Sequence, residues 1–340
     1  MTLSICIPTY KSLDLIDATL QTVLAQTYKD FEVIICNDSP NDHEQLKEKL
    51  DKYNDPRIRF YANETNLGYP LNIKKCVDKS KFETVFLLGQ DDLILGRSHF
   101  ERVVSILKRY PEVGVITRAY YWFDDDPYQP IRHIPIHKRR VMGCDDRIED
   151  LHAIFSSVGQ LSGLVYRKKL INHPFNKEIF PAHIYPFLSV LRTHKCYFWP
   201  EYSIAVRTSS SQTRFLSSIY KPSPTKTWVE MFQNVFPEAR YCHIRQIGID
   251  FITQNYVGLA QLKNYGYFAD LMTDVYYMAK YRKTNLLSPK FWFFTCGAIL
   301  TPRFLLRPLV DSYKKVVIKK NLAQRGLIAA NAKVAGQPPP

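Results

Sequence analysis

The sequence predicts an α/β protein with a doubly wound, mainly parallel sheet, followed by a helical C-terminal region. Three observations predict this class. Short apolar runs alternate with helical patterns over residues 1–120. Residues 120–215 are less regular, with many aromatic residues, prolines and short strands. From about residue 225 the apolar spacing becomes helical.

The first 120 residues contain predicted strands at Leu3–Pro8, Phe31–Cys36, Ile58–Ala62, Thr84–Leu88 and Val113–Thr117. Helices are expected between them, the first with Ser12 as its N-cap and two more near residues 42–52 and 98–110. The C-terminal half adds predicted helices at Trp228–Phe236, Ile244–Leu262 and Tyr267–Tyr281. In a parallel sheet of this kind, ligands bind at the carboxyl ends of the strands.

Positive charge is concentrated at the C-terminal end. The chain carries a net charge of +14, and the segment from Lys280 to the end accounts for +11 of it, with twelve Lys and Arg residues against Asp311. Residues 1–279 therefore carry only about +3. A general nucleic-acid-binding protein is expected to carry its basic surface on the main domain, so this distribution argues against a nucleic-acid partner.

The seven cysteines show no C-x-x-C pair or regular spacing. Such usage is typical of a reducing compartment. The N-terminus starts directly with a strand, and no signal peptide is visible. We therefore expect a cytoplasmic protein.

Polar residues follow the predicted strands at the edge where ligands bind. They are Pro8-Thr9-Tyr10, Asn37-Asp38, Asn66-Leu67-Gly68 and Gln90-Asp91-Asp92. An Asp after a strand is also an ordinary turn residue, but four such groups in a βαβ context indicate one binding site. Asp91 and Asp92 offer the carboxylate oxygens that Mg²⁺ or Mn²⁺ prefers, and such a cation can neutralise a diphosphate leaving group. Asp38 is expected either to accept hydrogen bonds from a nucleotide or to cap the following helix.

The runs that carry a family resemblance are Ser4–Tyr10, Leu24–Tyr28, Phe31–Ser39, Asn66–Gly68 with Asn72, and Leu87–Asp92. In this order they resemble glycosyltransferase family 2, strongly over residues 1–120 and weakly over residues 160–207. The resemblance implies a GT-A fold, a nucleotide-sugar donor, a divalent metal (Mn²⁺ or Mg²⁺) and inversion at the anomeric carbon.

The resemblance also assigns roles by position. Pro8, Thr9 and Tyr10 would line the nucleotide pocket, Asp38 would read the base, and the same donor site would include Asn66, Gly68, Asn72, Gln90 and Asp91. Asp92 matches the usual metal ligand of the family's D-x-D motif, with Asp91 beside it. Gln90 stands where the motif has its first acid, which implies weaker metal affinity or an altered donor preference.

An inverting transfer needs a group that takes the proton of the acceptor hydroxyl. Family members commonly place an acid, often in a Glu-Asp pair, after a segment like residues 162–167, and no such pair follows here. His183 lies at about the right place, and an imidazole can act as a base. Glu178 is the second choice. Alternatively, His183 is structural or contacts the acceptor.

Two charged clusters are interpreted as loops. Asp124-Asp125-Asp126 precedes Pro127 and favours a solvated loop rather than a metal cluster. Arg139-Arg140 favours a loop as well, although a mobile basic loop could hold a diphosphate.

The apolar run Lys290–Leu300 is too short to span a membrane, which takes about twenty residues. Its aromatic residues, together with Arg303, Arg307 and the lysines that follow, suit a helix lying in a lipid interface. The alternative is a helical hairpin packed on the catalytic domain. We expect an anionic membrane surface as a partner, on the cytoplasmic face of the inner membrane, and aromatic patches also permit a homodimer.

Together these features predict a GT-A domain at residues 1–215, with nucleotide-sugar binding at 1–120 and the acceptor side at 120–215. A helical, basic region follows at 216–330, with a flexible tail at 331–340. The predicted activity is sugar transfer to a polyprenyl-diphosphate-linked saccharide in bacterial surface polysaccharide synthesis, for O-antigen or capsule. The alternative is a non-catalytic scaffold that binds sugar nucleotides, which Gln90 and the missing acidic base favour.

Overall fold

The computed structural model describes residues 1–172, 175, 182–208, 221 and 223–313. Within these residues the chain divides into two compact units. The first comprises Met1–Cys144 and Ala153–Thr208, and the second comprises Asp145–His152 and the described residues beyond 208.

The first unit is built on one sheet, whose strands are β1 (Leu3–Thr9), β2 (Phe31–Asn37), β3 (Ile58–Ala62), β4 (Thr84–Leu87), β5 (Leu93–Ile94), β6 (Val113–Phe123), β7 (Arg132–His133), β8 (Val141–Met142), β9 (Leu164–Arg167) and β10 (Lys195–Arg207). Their order is β3-β2-β1-β4-β9-β6-β10-β5, with β7 paired to β6 and β8 to β10. Strands β3, β2, β1 and β4 are parallel, and so are β6 and β10, whereas β9 runs antiparallel between β4 and β6. The predicted α/β class with a mainly parallel sheet is confirmed.

Helices connect these strands at α1 (Ile16–Leu24), α2 (His43–Asp51), α3 (Tyr69–Lys79), α4 (His99–Arg109), α5 (Ile148–Ser157) and α6 (Ile184–Leu191). Every residue of β2 is buried, as expected for a parallel strand with both faces covered. One apolar core includes Leu20 and Val23 of α1 and Phe100 and Val103 of α4. These residues lie on the sides of α1 and α4 that pack into the core.

One local prediction is wrong, and one predicted strand is longer in the structure. Ser12 does not cap α1, which begins at Ile16 without a side-chain cap, and the Ser12 hydroxyl is buried with no hydrogen-bond partner in the described structure. Instead, the main-chain oxygen of Ser12 accepts from the amides of Leu15 and Ile16. The strand predicted at Val113–Thr117 continues to Phe123 as β6 and is buried throughout, Arg118 included.

The second unit is helical, with α7 (Pro224–Val235), α8 (Cys242–Thr253), α9 (Val257–Tyr265), α10 (Phe268–Tyr281), α11 (Pro289–Leu300) and α12 (Arg303–Tyr313). The single helix predicted at Ile244–Leu262 is in fact two, α8 and α9. The side chain of Asn285 donates to the main-chain oxygen of Thr253 at 2.9 Å, where α8 ends. Across the described residues, no helix is long and apolar enough to cross a membrane.

Candidate active site

The carboxyl ends of β1, β2 and β4 meet at one edge of the sheet, where the predicted site residues come together. The hydroxyl of Thr9, the last residue of β1, lies 3.2 Å from both the main-chain oxygen of Cys36 and the side-chain oxygen of Asn37. The amide of Asp38 donates to the main-chain oxygen of Thr9 at 2.8 Å. These hydrogen bonds hold the carboxyl ends of β1 and β2 in place relative to each other.

Asp38 is buried, and its carboxylate organises the loop that precedes α3. One oxygen accepts from the side chain of Asn63 at 2.8 Å and from the amide of Leu67 at 2.7 Å, while the other accepts from the amide of Gly68 at 2.8 Å. Gly68 has φ +81°, a conformation that favours glycine. Asp38 does not cap α2, which begins at His43 after Asp42, so that alternative is wrong.

Two asparagines predicted for the donor site also support this loop. Asn66 donates to the main-chain oxygen of Asp38 at 3.0 Å. Asn72 donates to the main-chain oxygen of Cys36 at 2.9 Å, and its side-chain oxygen accepts from Asn63 at 3.0 Å. Asn63 is a further residue of this network, which sequence reasoning missed because it lies in an ordinary loop after β3.

Gln90 is bonded through both ends of its side-chain amide to the backbone of Tyr10. Its oxygen accepts from the Tyr10 amide at 2.6 Å, and its nitrogen donates to the Tyr10 oxygen at 2.9 Å. A carboxylate has no proton to donate, so it cannot make the second bond. The amide at position 90 therefore has a structural role, which is to hold the segment after β1, where Lys11 has φ +51°.

Asp91 and Asp92 point their carboxylates at the space left by Gly89. A Cβ at residue 89 would lie 2.8 Å from Oδ2 of Asp92 and 3.3 Å from Oδ1 of Asp91. Burial, together with the charge of Asp91, raises the pKa of Asp92 to about 8. Two carboxylates that converge in this way fit a hard divalent cation, which commonly takes one or two protein carboxylates plus phosphate and water oxygens. Among the described residues, no group of three or more His, Cys, Asp or Glu side chains could hold a metal.

Ser162 and Arg207 hold the Asp92 carboxylate in place. The Ser162 hydroxyl donates to Oδ2 and accepts from the Gly89 amide, the latter at 2.7 Å. The Arg207 amide donates to Oδ1 at 2.9 Å. Sequence reasoning did not assign Ser162 and Arg207 to the site, because they lie 70 and 115 residues from Asp92 along the chain.

Arg118 fixes the segment that carries Ser162. Its guanidinium is fully buried and donates to the main-chain oxygens of Ser157 and Gln160, each at 3.0 Å. Burial lowers the pKa of Arg118 to about 10, so the group stays charged at neutral pH and interacts electrostatically with Asp92. No motif in the sequence marked this residue.

His183 is buried, and both of its ring nitrogens are hydrogen bonded. Nε2 lies 2.9 Å from the main-chain oxygen of Val158, which can only accept, so Nε2 carries the proton. Nδ1 therefore accepts from the Tyr69 hydroxyl, at 2.8 Å. Burial lowers the pKa of His183 to about 3, so the ring is neutral. Its lone pair is occupied by Tyr69, whose own pKa is raised by burial and by the charge of Asp92. Glu178 lies outside the described residues.

The two charged clusters lie at the surface. Asp125 is exposed, and Asp126 accepts from the amide of Tyr128 at 2.9 Å within its own turn. Arg139 and Arg140 are exposed. Both segments are surface loops, as predicted.

Comparison with known proteins identifies the family and the fold. Residues 4–170 match the family described as glycosyl transferase family 2. An uncharacterized glycosyltransferase of Haemophilus influenzae is 26% identical over 311 residues, which cover 84% of this chain and 88% of that protein. The UDP-Glc:alpha-D-GlcNAc-diphosphoundecaprenol beta-1,3-glucosyltransferase WfgD of Escherichia coli is 26% identical over 105 residues, 31% of this chain and 41% of the relative. The crystal structure of S. aureus TarS 1-349 in complex with UDP superposes with a TM-score of 0.60 at 15% identity, covering 96% of this chain and 92% of that one. The fold is accordingly of the GT-A type.

Proposed function

Because the chain belongs to glycosyltransferase family 2 through its residues 4–170, we propose that it transfers a sugar from a nucleotide-sugar donor to a hydroxyl of a lipid-linked saccharide, with inversion and with a divalent metal. The observation that carries the proposal is the convergence of the Asp91 and Asp92 carboxylates beside Gly89, at the carboxyl edge of the sheet. Such a site can hold a divalent cation, which neutralises the charge of a nucleoside diphosphate leaving group.

The donor pocket has contact residues and supporting residues. Pro8 and Tyr10 are partly accessible at the end of β1 and would lie against the nucleotide, with Asn66 and Gly68 at the opposite loop. The buried side chains of Thr9, Asp38 and Asn72 keep these two segments in place, and Gln90 fixes the Tyr10 backbone.

Asp92, held by Ser162, and the neighbouring Asp91 would bind Mn²⁺ or Mg²⁺ together with the diphosphate. A divalent cation, when bound, neutralises charge that develops on the departing diphosphate. Without such compensation, burial of the carboxylate and then the charge of the neighbouring Asp91 raise the pKa of Asp92.

The acceptor hydroxyl must lose its proton during attack. His183 is poorly suited to take it, because the lone pair on its Nδ1 already accepts a hydrogen bond from Tyr69 and its pKa is lowered to about 3. We therefore assign the base to Glu178, the other candidate in the sequence, and assign His183 a positioning role. Glu178→Gln should lower kcat by about 10²- to 10⁴-fold, the usual contribution of a general base, whereas loss of His183 should act through the stability of the site.

The acceptor is a polyprenyl-diphosphate-linked saccharide used for bacterial surface polysaccharide, O-antigen or capsule, at the cytoplasmic face of the inner membrane. Two observations support this. The name of the E. coli relative specifies a diphosphoundecaprenol-linked acceptor, and the excess positive charge of this chain lies from residue 280 onward. Exposed aromatic side chains in the second unit are also compatible with a homodimer.

The proposal is tested by calorimetric titration of UDP, dTDP, GDP and CDP, with and without Mn²⁺, into the wild type and Asp92→Asn. Asp125→Asn, in an exposed loop, is the matched control. Metal-dependent binding of one nucleotide, lost only in Asp92→Asn, followed by turnover of the corresponding nucleotide sugar, is the expected result. Binding without any turnover would favour a scaffold that binds sugar nucleotides, and metal-independent binding would overturn the role of the acidic pair.

A further inference from the structure

Exposed apolar side chains are concentrated in one part of the second unit. Of the seventeen exposed large apolar side chains in the described residues, thirteen lie in residues 257–309. Soluble proteins rarely expose contiguous apolar patches of large area, and those that do commonly use them to bind a partner or a membrane. We therefore expect this segment to bind a partner or a membrane.

The exposed charge of the same segment has one sign. Residues 257–310 contain seven Lys and Arg residues and two acids, Asp270 and Asp274. Both acids are buried, at 7% and 2% exposure, and Asp274 accepts from Ser223 and Thr225 inside the unit. Within residues 257–310, every charged side chain that reaches solvent is therefore positive.

The apolar side chains are most exposed on α11 and α12, which are separated by only two residues. Helix α11 buries Phe291, Thr295 and Ala298 and leaves the opposite side open. The α11–α12 surface consists of Trp292, Phe293, Leu300, Phe304, Leu305 and Leu309, of which Phe293, Leu300 and Phe304 are at least 75% exposed.

Basic residues accompany this surface along its length. Lys290, Arg303 and Arg307 are exposed on the same two helices. Arg303 donates to the main-chain oxygen of Gly266, and Arg307 lies 5.6 Å from the ring of Tyr265. Helix α12 is thus attached to the end of α9 through its basic residues, while its apolar residues Phe304 and Leu309 stay in solvent.

We infer that the α11–α12 surface binds an anionic lipid membrane by inserting its apolar side chains among the headgroups. A helix that carries aromatic and leucine side chains beside lysine and arginine suits the plane of a membrane interface. Helix α11 has 12 residues and cannot span a bilayer. A second copy of this chain is disfavoured as the occupant, because the exposed charges over residues 257–310 are all positive and two such segments would repel each other. The inference goes beyond the proposed function, since lipid binding requires no sugar transfer.

The test is co-sedimentation of the full chain with vesicles of phosphatidylcholine alone and of phosphatidylcholine with about 30% phosphatidylglycerol, at low and high salt. The variant Phe293→Ser/Phe304→Ser removes two inserting rings. Tyr128→Ser/Ile136→Ser, which alters two exposed apolar residues of the first unit, is the matched control. We expect binding to the anionic vesicles, weakened at least about tenfold in the first variant, reduced by salt and unchanged in the control.

Several outcomes would overturn the inference. One is a wild type that does not bind anionic vesicles, and another is a Phe293→Ser/Phe304→Ser variant that binds as well as the wild type. If the variant instead loses self-association in ultracentrifugation, and vesicles are not bound, a second copy occupies the surface. A lower Tm of the variant without vesicle binding would mean that other residues of the chain cover it. All these measurements omit the nucleotide sugar, so a failure of sugar transfer with intact vesicle binding would contradict only the proposed function.

Discussion

The hydroxyl of Tyr69 donates a hydrogen bond to Nδ1 of His183 at 2.8 Å, on the other side of the ring from the bond between Nε2 and Val158. Tyr69 directly follows Gly68, whose amide is bonded to Asp38, and its pKa responds to the charge of Asp92. The pair therefore connects the loop that Asp38 organises to residue 183.

Replacing Tyr69 by Phe should lower the free energy of unfolding by about 1–3 kcal/mol, because Nδ1 of His183 is left buried without a donor. Urea unfolding at pH 7.5 measures this. Tyr28→Phe is the control, since the Tyr28 hydroxyl donates to the main-chain oxygen of Met1 in an exposed position. If the free energy of unfolding falls equally in the two variants, the buried Tyr69–His183 bond contributes no more to stability than the exposed Tyr28 bond.

Stability should decline as the pH falls below about 6.5, partly because of two buried histidines. The pKa values of His99 and His183 are lowered to about 3 in the folded protein, whereas unfolded histidine titrates near 6.5. The unfolded chain thus takes up protons first, so this contribution is complete above pH 6.5 and is lost progressively toward pH 3.

Each of these histidines should contribute a slope of up to about 1.4 kcal/mol per pH unit in that window. Urea unfolding at pH 7.5, 6.5, 5.5 and 4.5 gives the slope. His99 stacks on Trp199 at 4.4 Å and one of its ring nitrogens lacks a partner in the described structure, so His99→Phe keeps an aromatic ring and removes one titration. An unchanged slope in His99→Phe would contradict the assignment.

Gln90→Glu should destabilise the protein by about 1–3 kcal/mol, because the new carboxylate would face the main-chain oxygen of Tyr10 in place of an N–H donor. Nucleotide binding should weaken in parallel, since Tyr10 lines the donor pocket that we propose. Thermal unfolding and nucleotide calorimetry measure the two effects. Gln45→Glu, exposed on α2, serves as the control. A Gln90→Glu variant with unchanged Tm and tighter metal-dependent binding would show that position 90 is a ligand after all.

Gly89→Ala should reduce Mn²⁺-dependent nucleotide binding by about tenfold or more, because its methyl group would lie 2.8 Å from Oδ2 of Asp92 and displace that carboxylate. Gly258→Ala is the control, since a Cβ there meets no atom closer than 3.6 Å. Calorimetry of both variants measures their nucleotide affinity in the presence of Mn²⁺. Normal nucleotide affinity in Gly89→Ala would place the metal elsewhere.

Several features could be predicted from the sequence alone. The apolar run at Phe31–Cys36 became β2 nearly residue for residue, since a strand buried on both faces is rich in apolar residues. The run at Ile58–Ala62 became β3, which is only partly buried. The polar groups after β1, β2 and β4 also met at one edge, because parallel strands present their carboxyl ends together. The family resemblance rested on the same short-range motifs.

Tertiary structure alone decided what those residues do. Gln90 bonds to Tyr10, Ser162 to Asp92, and Arg118 to the segment that carries Ser162. Each partner lies far away in the chain, so spacing and propensity carry no signal for it. Likewise, the sequence left open whether His183 is a base, a structural residue or an acceptor contact, whereas burial keeps the ring neutral and its Nδ1 accepts a hydrogen bond from Tyr69. The physical reason is that local sequence sets backbone conformation, while the protonation and hydrogen bonding of a buried side chain depend on what the fold packs around it.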